Sequence, residues 1–369
     1  MSKKPLTYRD LNRATLARQM LLARDARGPA DAAGFLLGLQ AQQTHDPYVA
    51  LWSRLKGFRH EDLTALIVGR TLARATTMRG TLHLHTADDL IGIRALVQPF
   101  LARVWEGNFR RRFGSEDKGE ALKAGRARLK MGPMTAGQLK KALHPKFPTA
   151  EPLAISTLLQ LHETLVQIPP TRIWGNNAAP VLTRVEDWLP KPHKRPLSRE
   201  TLVLRYLEAF GPASVADMAT WSRLTGLGKS FAALRDQLVS FTDETGKELF
   251  DLPDAPRPDG DAPAPVRFLP LYDNVYLGYD NRRRMLSDAT AHLINMFQAF
   301  KPAILIDGMV NAGWSIADKK AGSTLDVECY RKLTRAETKD LKAEAEAFLV
   351  FMRPDARART ITMSGVGYE

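Results

Sequence analysis

A tetrapeptide pattern that occurs twice constrains the fold of this chain most. Gly132-Pro-Met-Thr135 and Gly211-Pro-Ala-Ser214 each lie between two amphipathic stretches. Each ends in a hydroxyl residue suited to cap the helix that follows. Behind the first, a helix reaches Leu143 and another spans Glu151 to Glu163, with short strands at Leu165 to Ile168 and Val181 to Val185. Behind the second, helices are expected to Trp221 and over Lys229 to Leu238. Strands then follow at Val239 to Thr242 and Lys247 to Leu252, around the turn Glu244-Thr245-Gly246. Helices closed by a hairpin are the pattern of a winged helix-turn-helix.

An earlier copy precedes both. Thr7 to Arg24, Pro29 to Leu39, Val49 to Leu55 and Glu61 to Val68 read as helices. Leu72 to Met78 and Thr81 to Thr86 read as a hairpin turning at Arg79-Gly80. Ala87 to Phe113 and Asp117 to Lys130 are long helical stretches, and Ser198 to Phe210 opens the third copy. Pro190 to Pro196 is basic and proline-rich, as a linker would be. Beyond the Pro/Asp-rich stretch Asp254 to Pro265 the period becomes that of strands. Candidates are Val266 to Leu271, Val275 to Tyr279, Ala303 to Ile306, Met309 to Ser315, Ser323 to Tyr330 and Arg359 to Met363. Leu333 to Met352 reads as one long charged helix. The expected fold class is α+β. Three tandem winged helix-turn-helix units (1–86, 87–190 and 191–253) precede a C-terminal β-barrel-like domain with one long helix (254–369).

Charge narrows the partners. A formal net charge of +13 points to a polyanion, most simply double-stranded DNA. Basic residues cluster at Arg103, Arg110, Arg111 and Arg112, at Lys123, Arg126, Arg128 and Lys130, and at Arg282-Arg283-Arg284. Basic residues on several elements suit contacts to phosphates, which position DNA without reading its sequence. A solvated face is the competing explanation for any one of them. No run approaches the roughly 20 apolar residues of a membrane span, and no apolar segment resembling a secretory signal follows the first residues. The single cysteine, Cys329, suits a reducing compartment. A cytoplasmic, nucleoid-associated monomer is the expectation.

Chemistry has few places to sit. No phosphate-cradling glycine loop and no nucleophile elbow is present. His83 and His85 share a strand face but lack the further partners of a metal site, so no metal and no cofactor is expected. The stretch Gly38-Leu-Gln-Ala-Gln-Gln-Thr-His-Asp-Pro-Tyr48 remains. Gln40 and Gln42 would point about 200° apart on a helix and share a side only on extended or irregular backbone. Two amides so placed can orient water or stabilise a cation, but cannot act as bases at neutral pH. A solvated helix end is the plain alternative, and Asp46 is a rival general base.

The chain resembles the winged-helix DNA glycosylases of the AlkZ and YcaQ type. The matching stretches are Leu37-Gly-Leu-Gln-Ala-Gln42 with Leu51-Trp-Ser-Arg54, Arg79-Gly-Thr-Leu-His83, Leu269-Pro-Leu-Tyr-Asp273, and Leu277-Gly-Tyr-Asp-Asn-Arg282. The resemblance implies three winged helices and a β-barrel in a C shape around a basic channel. It also implies a catalytic Q-x-Q motif at Gln40 and Gln42, where the YcaQ branch carries Q-x-D. The implied activity is monofunctional hydrolysis of the N-glycosidic bond of N7-alkylated purines, including bulky adducts and interstrand crosslinks. It would serve base excision repair or bacterial self-resistance to an alkylating antibiotic. Arg79, His83, Arg110, Arg111 and Arg282 are the candidate DNA contacts. A non-enzymatic winged-helix transcription regulator is the alternative function.

Overall fold

The computed structural model describes residues 4–189, 197–296 and 301–367, so the expected linker Pro190 to Pro196 lies outside the described residues. The chain opens with α1 (Tyr8–Arg18), α2 (Pro29–Phe35), β1 (Leu39–Gln40), α3 (Asp46–Arg54), α4 (His60–Val68), β2 (Leu72–Thr76) and β3 (Leu82–Thr86). It continues through α5 (Ala87–Phe113), α6 (Lys118–Lys130), β4 (Met134–Thr135), α7 (Ala136–Leu143), α8 (Pro152–His162), β5 (Leu165–Ile168), β6 (Val181–Arg184) and α9 (Val185–Trp188). Then come α10 (Arg199–Phe210), α11 (Val215–Ser222), α12 (Leu227–Ala233), β7 (Val239–Thr242) and β8 (Glu248–Asp251). The last part holds β9 (Arg267–Phe268), α13 (Asn274–Leu277), α14 (Asp288–Met296), β10 (Ala303–Ile306), β11 (Met309–Lys319), β12 (Gly322–Cys329), α15 (Arg335–Met352) and β13 (Arg359–Gly365).

Both tetrapeptides cap as their chemistry requires. Thr135 accepts from the Gln138 N–H while the Gln138 side chain accepts from the Thr135 N–H, and Ser214 and Asp217 form the same reciprocal box. The first two hairpins join edge to edge. One six-stranded sheet runs β1-β3-β2-β5-β6-β4, with Ala75 of β2 opposite Val166 of β5. Along α5, Leu90, Ile93, Val97, Leu101 and Trp105 recur at helical spacing and are buried. Trp105 donates its indole N–H to the Ala154 carbonyl of α8 at 3.2 Å, which pins the two helices together.

Three helices are shorter than their apolar spacing suggests. α1 stops at Arg18 and Met20 takes a left-handed φ of 57°, where the spacing runs to Arg24. α2 stops at Phe35, where the spacing runs to Leu39, and α12 covers Leu227–Ala233 where Lys229 to Leu238 was expected. The turns after them bury Met20, Leu21, Leu36, Leu37 and Leu234, so hydrophobicity continues although the helix does not.

The C-terminal part departs most from expectation. No closed barrel is formed among the described residues. The sheet is open and five-stranded, in the order β13-β12-β11-β10-β9, with β13 parallel to β12. Closure needs edge strands that meet at matched tilt and stagger, yet β9 has 2 residues and β13 pairs only with β12. The sheet is covered instead by α15, whose Leu341, Ala345, Phe348, Leu349 and Met352 face alternating β12 residues such as Leu325 and Val327. Val49 of α3 enters the same core. Val275 to Tyr279, expected as a strand, begins with the short helix α13 because the Asp273 carboxylate caps the Val275 N–H at 2.9 Å.

Asp273 is also one half of a buried, bidentate ion pair. Arg54, at the end of α3, donates Nη1 to its Oδ2 at 2.9 Å and Nη2 to its Oδ1 at 2.8 Å. Both side chains are sealed from solvent, at 1% and 3% exposure. Removing one partner leaves the other charge buried alone, which costs about 3–5 kcal/mol. Urea unfolding of Arg54→Met should show a loss of that size. The double variant Arg54→Met/Asp273→Asn should recover part of it.

Candidate active site

The site starts at the end of α2, where Leu37 and Gly38 turn the chain left-handed. Gly38 has φ +99°, and a Cβ there would lie 2.3 Å from His85 Nδ1. The turn delivers the chain into β1, where Leu39 faces Leu84 and Gln40 faces His83 across the ladder. The Ala41 N–H extends the pairing to the Leu82 carbonyl at 2.8 Å. The backbone carrying the first glutamine is therefore extended, the condition under which residues two apart can share a side. Ala41 is sealed in the core, Gln40 is 7% exposed, and Gln42 is exposed.

Four groups converge on one guanidinium. Arg79, at the hairpin turn with φ 57°, donates to Gln40 Oε1 at 2.7 Å, Asn274 Oδ1 at 2.7 Å and the Trp221 carbonyl at 2.6 Å. Its Nη2 also lies 3.1 Å from His83 Nε2. Burial, with Arg223 and Arg282 nearby, pushes Arg79 down to about 10, which leaves it cationic at neutral pH. Burial and Arg79 hold His83 well below the usual histidine range, so the ring is neutral. His85, stacked on His83 at 5.6 Å between ring centroids, is pushed by burial down to about 4. Among the described residues no group of three or more His, Cys, Asp or Glu could hold a metal ion.

Gln42 is held loosely, its Oε1 accepting from the Leu82 N–H at 3.4 Å. Asp46 lies behind the loop. Its Oδ2 accepts from the Gln43 N–H at 2.7 Å, its Oδ1 has no hydrogen-bond partner, and its side chain is fully buried. Asp46 thus shapes the turn after Gln42 and, in this conformation, is closed to water.

The arginines separate. Gln40, Arg79 and His83 form one cluster, and Gln42 sits at its edge. Arg110 and Arg111 are exposed near the far end of α5, Arg110 donating to the Gly114 carbonyl at 2.9 Å. Arg112 and Arg126 are paired with Glu151 and Glu163. In the triplet, Arg283 pairs with Asp288, and Arg284 is buried over the Tyr279 ring at 4.0 Å. Arg282 is exposed and, with Arg223 and Tyr276, lines an open cavity of about 820 Å³. Sequence reasoning missed Asn274, Arg223 and the Trp221 carbonyl. Only Asn274 carried a signal, since it follows a capping Asp and lies between two of the resembling stretches.

The model of the AlkZ-like DNA glycosylase family matches residues 34–351, which takes in Gln40, Arg79, His83 and Asn274 together. The chain belongs to the AlkZ-like DNA glycosylase family. Its fold is similar to that of Streptomyces sahachiroi DNA glycosylase AlkZ, with a TM-score of 0.72 and 18% sequence identity over 98% of this chain and 100% of that one. No curated protein matches the sequence. An AlkZ-like glycosylase acts on DNA, in keeping with the charge of +13. Among the described residues no helix is long and apolar enough to cross a membrane.

In this AlkZ-like chain the titration of Asp46 has a definite sign. Burial raises its carboxyl from 3.8 to about 7, against the Gln43 hydrogen bond and Arg74. The folded chain therefore binds that proton more tightly than the unfolded chain. The resulting stability is whole below pH 3.8 and is lost as pH rises through about 7. Asp46→Asn keeps an acceptor for the Gln43 N–H and cannot ionise. Its thermal midpoint should gain on that of the unsubstituted protein as pH rises from about 5 to about 8. Parallel curves over that window would show that Asp46 does not titrate there.

Proposed function

We propose that this DNA glycosylase hydrolyses the N-glycosidic bond of N7-alkylated purines in double-stranded DNA, bulky adducts and interstrand crosslinks included. It acts as a monofunctional monomer, in base excision repair or in bacterial self-resistance to an alkylating natural product. Its three helix-and-hairpin groups are winged helices at 1–86, 87–190 and 191–253, with residues 254–369 as the fourth part.

The observation that carries this reading is that Gln40 and Gln42 each bond to the hairpin around Arg79, through Arg79 and the Leu82 N–H, while Asp46 is sealed behind them. Excision passes through an oxocarbenium-like sugar, and a neutral base would need an acid to leave. An N7-alkylpurine already carries positive charge and leaves without one. What remains is to orient water and stabilise developing charge, which polar groups fixed in advance can do. Gln42 Oε1, held by one long bond, has a lone pair open to water. Gln40 is held rigidly and orients the substrate. Of the five expected DNA contacts, the exposed Arg110, Arg111 and Arg282 contact phosphates, which position the duplex without reading it, whereas His83 is sealed and Arg79 is committed to Gln40, Asn274 and the Trp221 carbonyl.

The activity test uses a duplex carrying N7-methylguanine, followed by heating in alkali. Strand nicks should appear only after the alkali, and duplexes with neutral base lesions should stay intact. Gln40→Ala and Gln42→Ala should each slow excision by roughly 10²–10³-fold. An active Gln42→Ala beside an inert but folded Asp46→Ala would transfer the water-activating role to Asp46. Arg282→Ala should weaken binding to any duplex and reduce the salt dependence of log K by about one. An unaltered salt slope would remove Arg282 from the DNA interface.

A further inference from the structure

We propose that Arg79 is the positioning residue that fixes Gln40 with its Nε2 edge towards the substrate, so that Gln40 serves as a hydrogen-bond donor. This rests on the reading of Gln40 as catalytic. A guanidinium has donors only, so every atom it meets must accept. Gln40 therefore presents Oε1 to Arg79 at 2.7 Å, and the amide N–H2 is the edge left over. Asn274 is oriented by the same rule, with Oδ1 on Arg79 at 2.7 Å and Nδ2 reaching the Gly38 carbonyl at 3.5 Å. His83 must accept at Nε2, so its proton sits on Nδ1, which donates to the Thr81 carbonyl at 3.2 Å. A flip of either amide would set N–H against N–H.

The four partners come from four places: Gln40 from β1, His83 from β3, Trp221 from α11 and Asn274 from α13. Arg79 thus closes the site only when the third helical group and the segment after β9 have docked on the first hairpin. The position also spends backbone comfort on this side chain, for φ 57° is a conformation that glycine or asparagine adopts at lower cost. Among the described residues no carboxylate lies within ion-pair distance of Arg79. Carbonyl dipoles and a neutral imidazole hold it, which leaves its charge uncancelled behind Gln40. Gln42 lacks any such clamp. The two amides therefore divide the work, Gln40 donating to an acceptor on the DNA and Gln42 accepting from water.

The test measures single-turnover excision of N7-methylguanine at saturating enzyme, with duplex Kd measured separately and folding checked by thermal melting. Gln40→Glu keeps an acceptor for Arg79 and removes the N–H2 donor, so it should be as slow as Gln40→Ala. Arg79→Lys should lose about a hundredfold in the saturated rate with Kd little changed, the penalty of a misplaced group. In a Gln40→Ala background the same change should add little, because Arg79 acts through Gln40. Millimolar guanidinium should restore part of the rate of Arg79→Ala. A fast Gln40→Glu, or an Arg79→Lys loss carried by Kd and its salt slope, overturns the proposal while Gln40→Ala remains inactive. Full activity of Gln40→Ala would instead remove the catalytic reading on which it rests.

Discussion

The buried pair between Arg54 and Asp273 is the contact on which the site depends. Arg54 ends the helix that begins just after the glutamines, and Asp273 starts the helix that brings Asn274 to Arg79. The Asp273 carboxylate is used twice, receiving both Nη groups of Arg54 and capping the Val275 N–H. Gln19 joins the same network, accepting from Arg54 at 3.3 Å and donating to the Ala209 carbonyl at 2.6 Å. One guanidinium thereby ties the ends of α1, α3 and α10 to the loop ahead of α13. The geometry around Gln40 is thus set by packing between parts far apart in the chain.

The same preference for arginine runs through the interior, where burial is met in two ways. Arg18 and Arg54 are sealed against carboxylates, Asp251 and Asp273. Arg79 and Arg94 meet mainly carbonyl oxygens, Arg94 through its Nη2 alone while its Nε and Nη1 are buried without a partner, and burial pushes each down to about 10. A paired arginine is electrically silent at a distance, whereas one held by dipoles keeps its field. Arg223 and Arg282 lie close enough to perturb Arg79, and both line the same open cavity. Among the described residues none of these three arginines forms an ion pair, whereas Asp280 and Asp288 on the same cavity are paired with Lys247 and Arg283, an arrangement that suits a DNA backbone.

Much of this was readable along the chain because it is local. The capping residues Thr135 and Ser214, the hairpin around Arg79-Gly80, the stripe on α5 and the long helix α15 follow from spacings of a few residues. The extended backbone that a shared side for Gln40 and Gln42 requires is present at Gln40. What escaped was non-local or too short to show a period. A single helical turn such as α13 looks like a strand until its cap is seen, and Asp273 is fixed by a partner 219 positions away. The open C-terminal sheet was equally hidden, since alternation along a strand says which face is buried and nothing about whether the outer strands meet. Asn274 reaches Arg79 across 195 positions, so the local signal of its capping Asp did not tell that it lies beside Gln40.

The two glutamines are held by unlike devices, and that difference bears on the substrate. Gln40 is clamped at long range by an arginine that itself has three other partners. Gln42 depends on a local turn, shaped by Asp46 reaching back to the Gln43 N–H, and its own bond to the Leu82 N–H is long. A clamp suits a group that must meet the same feature of every substrate. A loosely held, exposed amide suits one that must find its water beside lesions of different size. A bulky adduct or a crosslinked second strand cannot be drawn into a snug pocket as a flipped base is. Under the proposed function, one fixed amide and one adjustable amide would tolerate such bulk, because only the fixed half would need to read the position of the sugar.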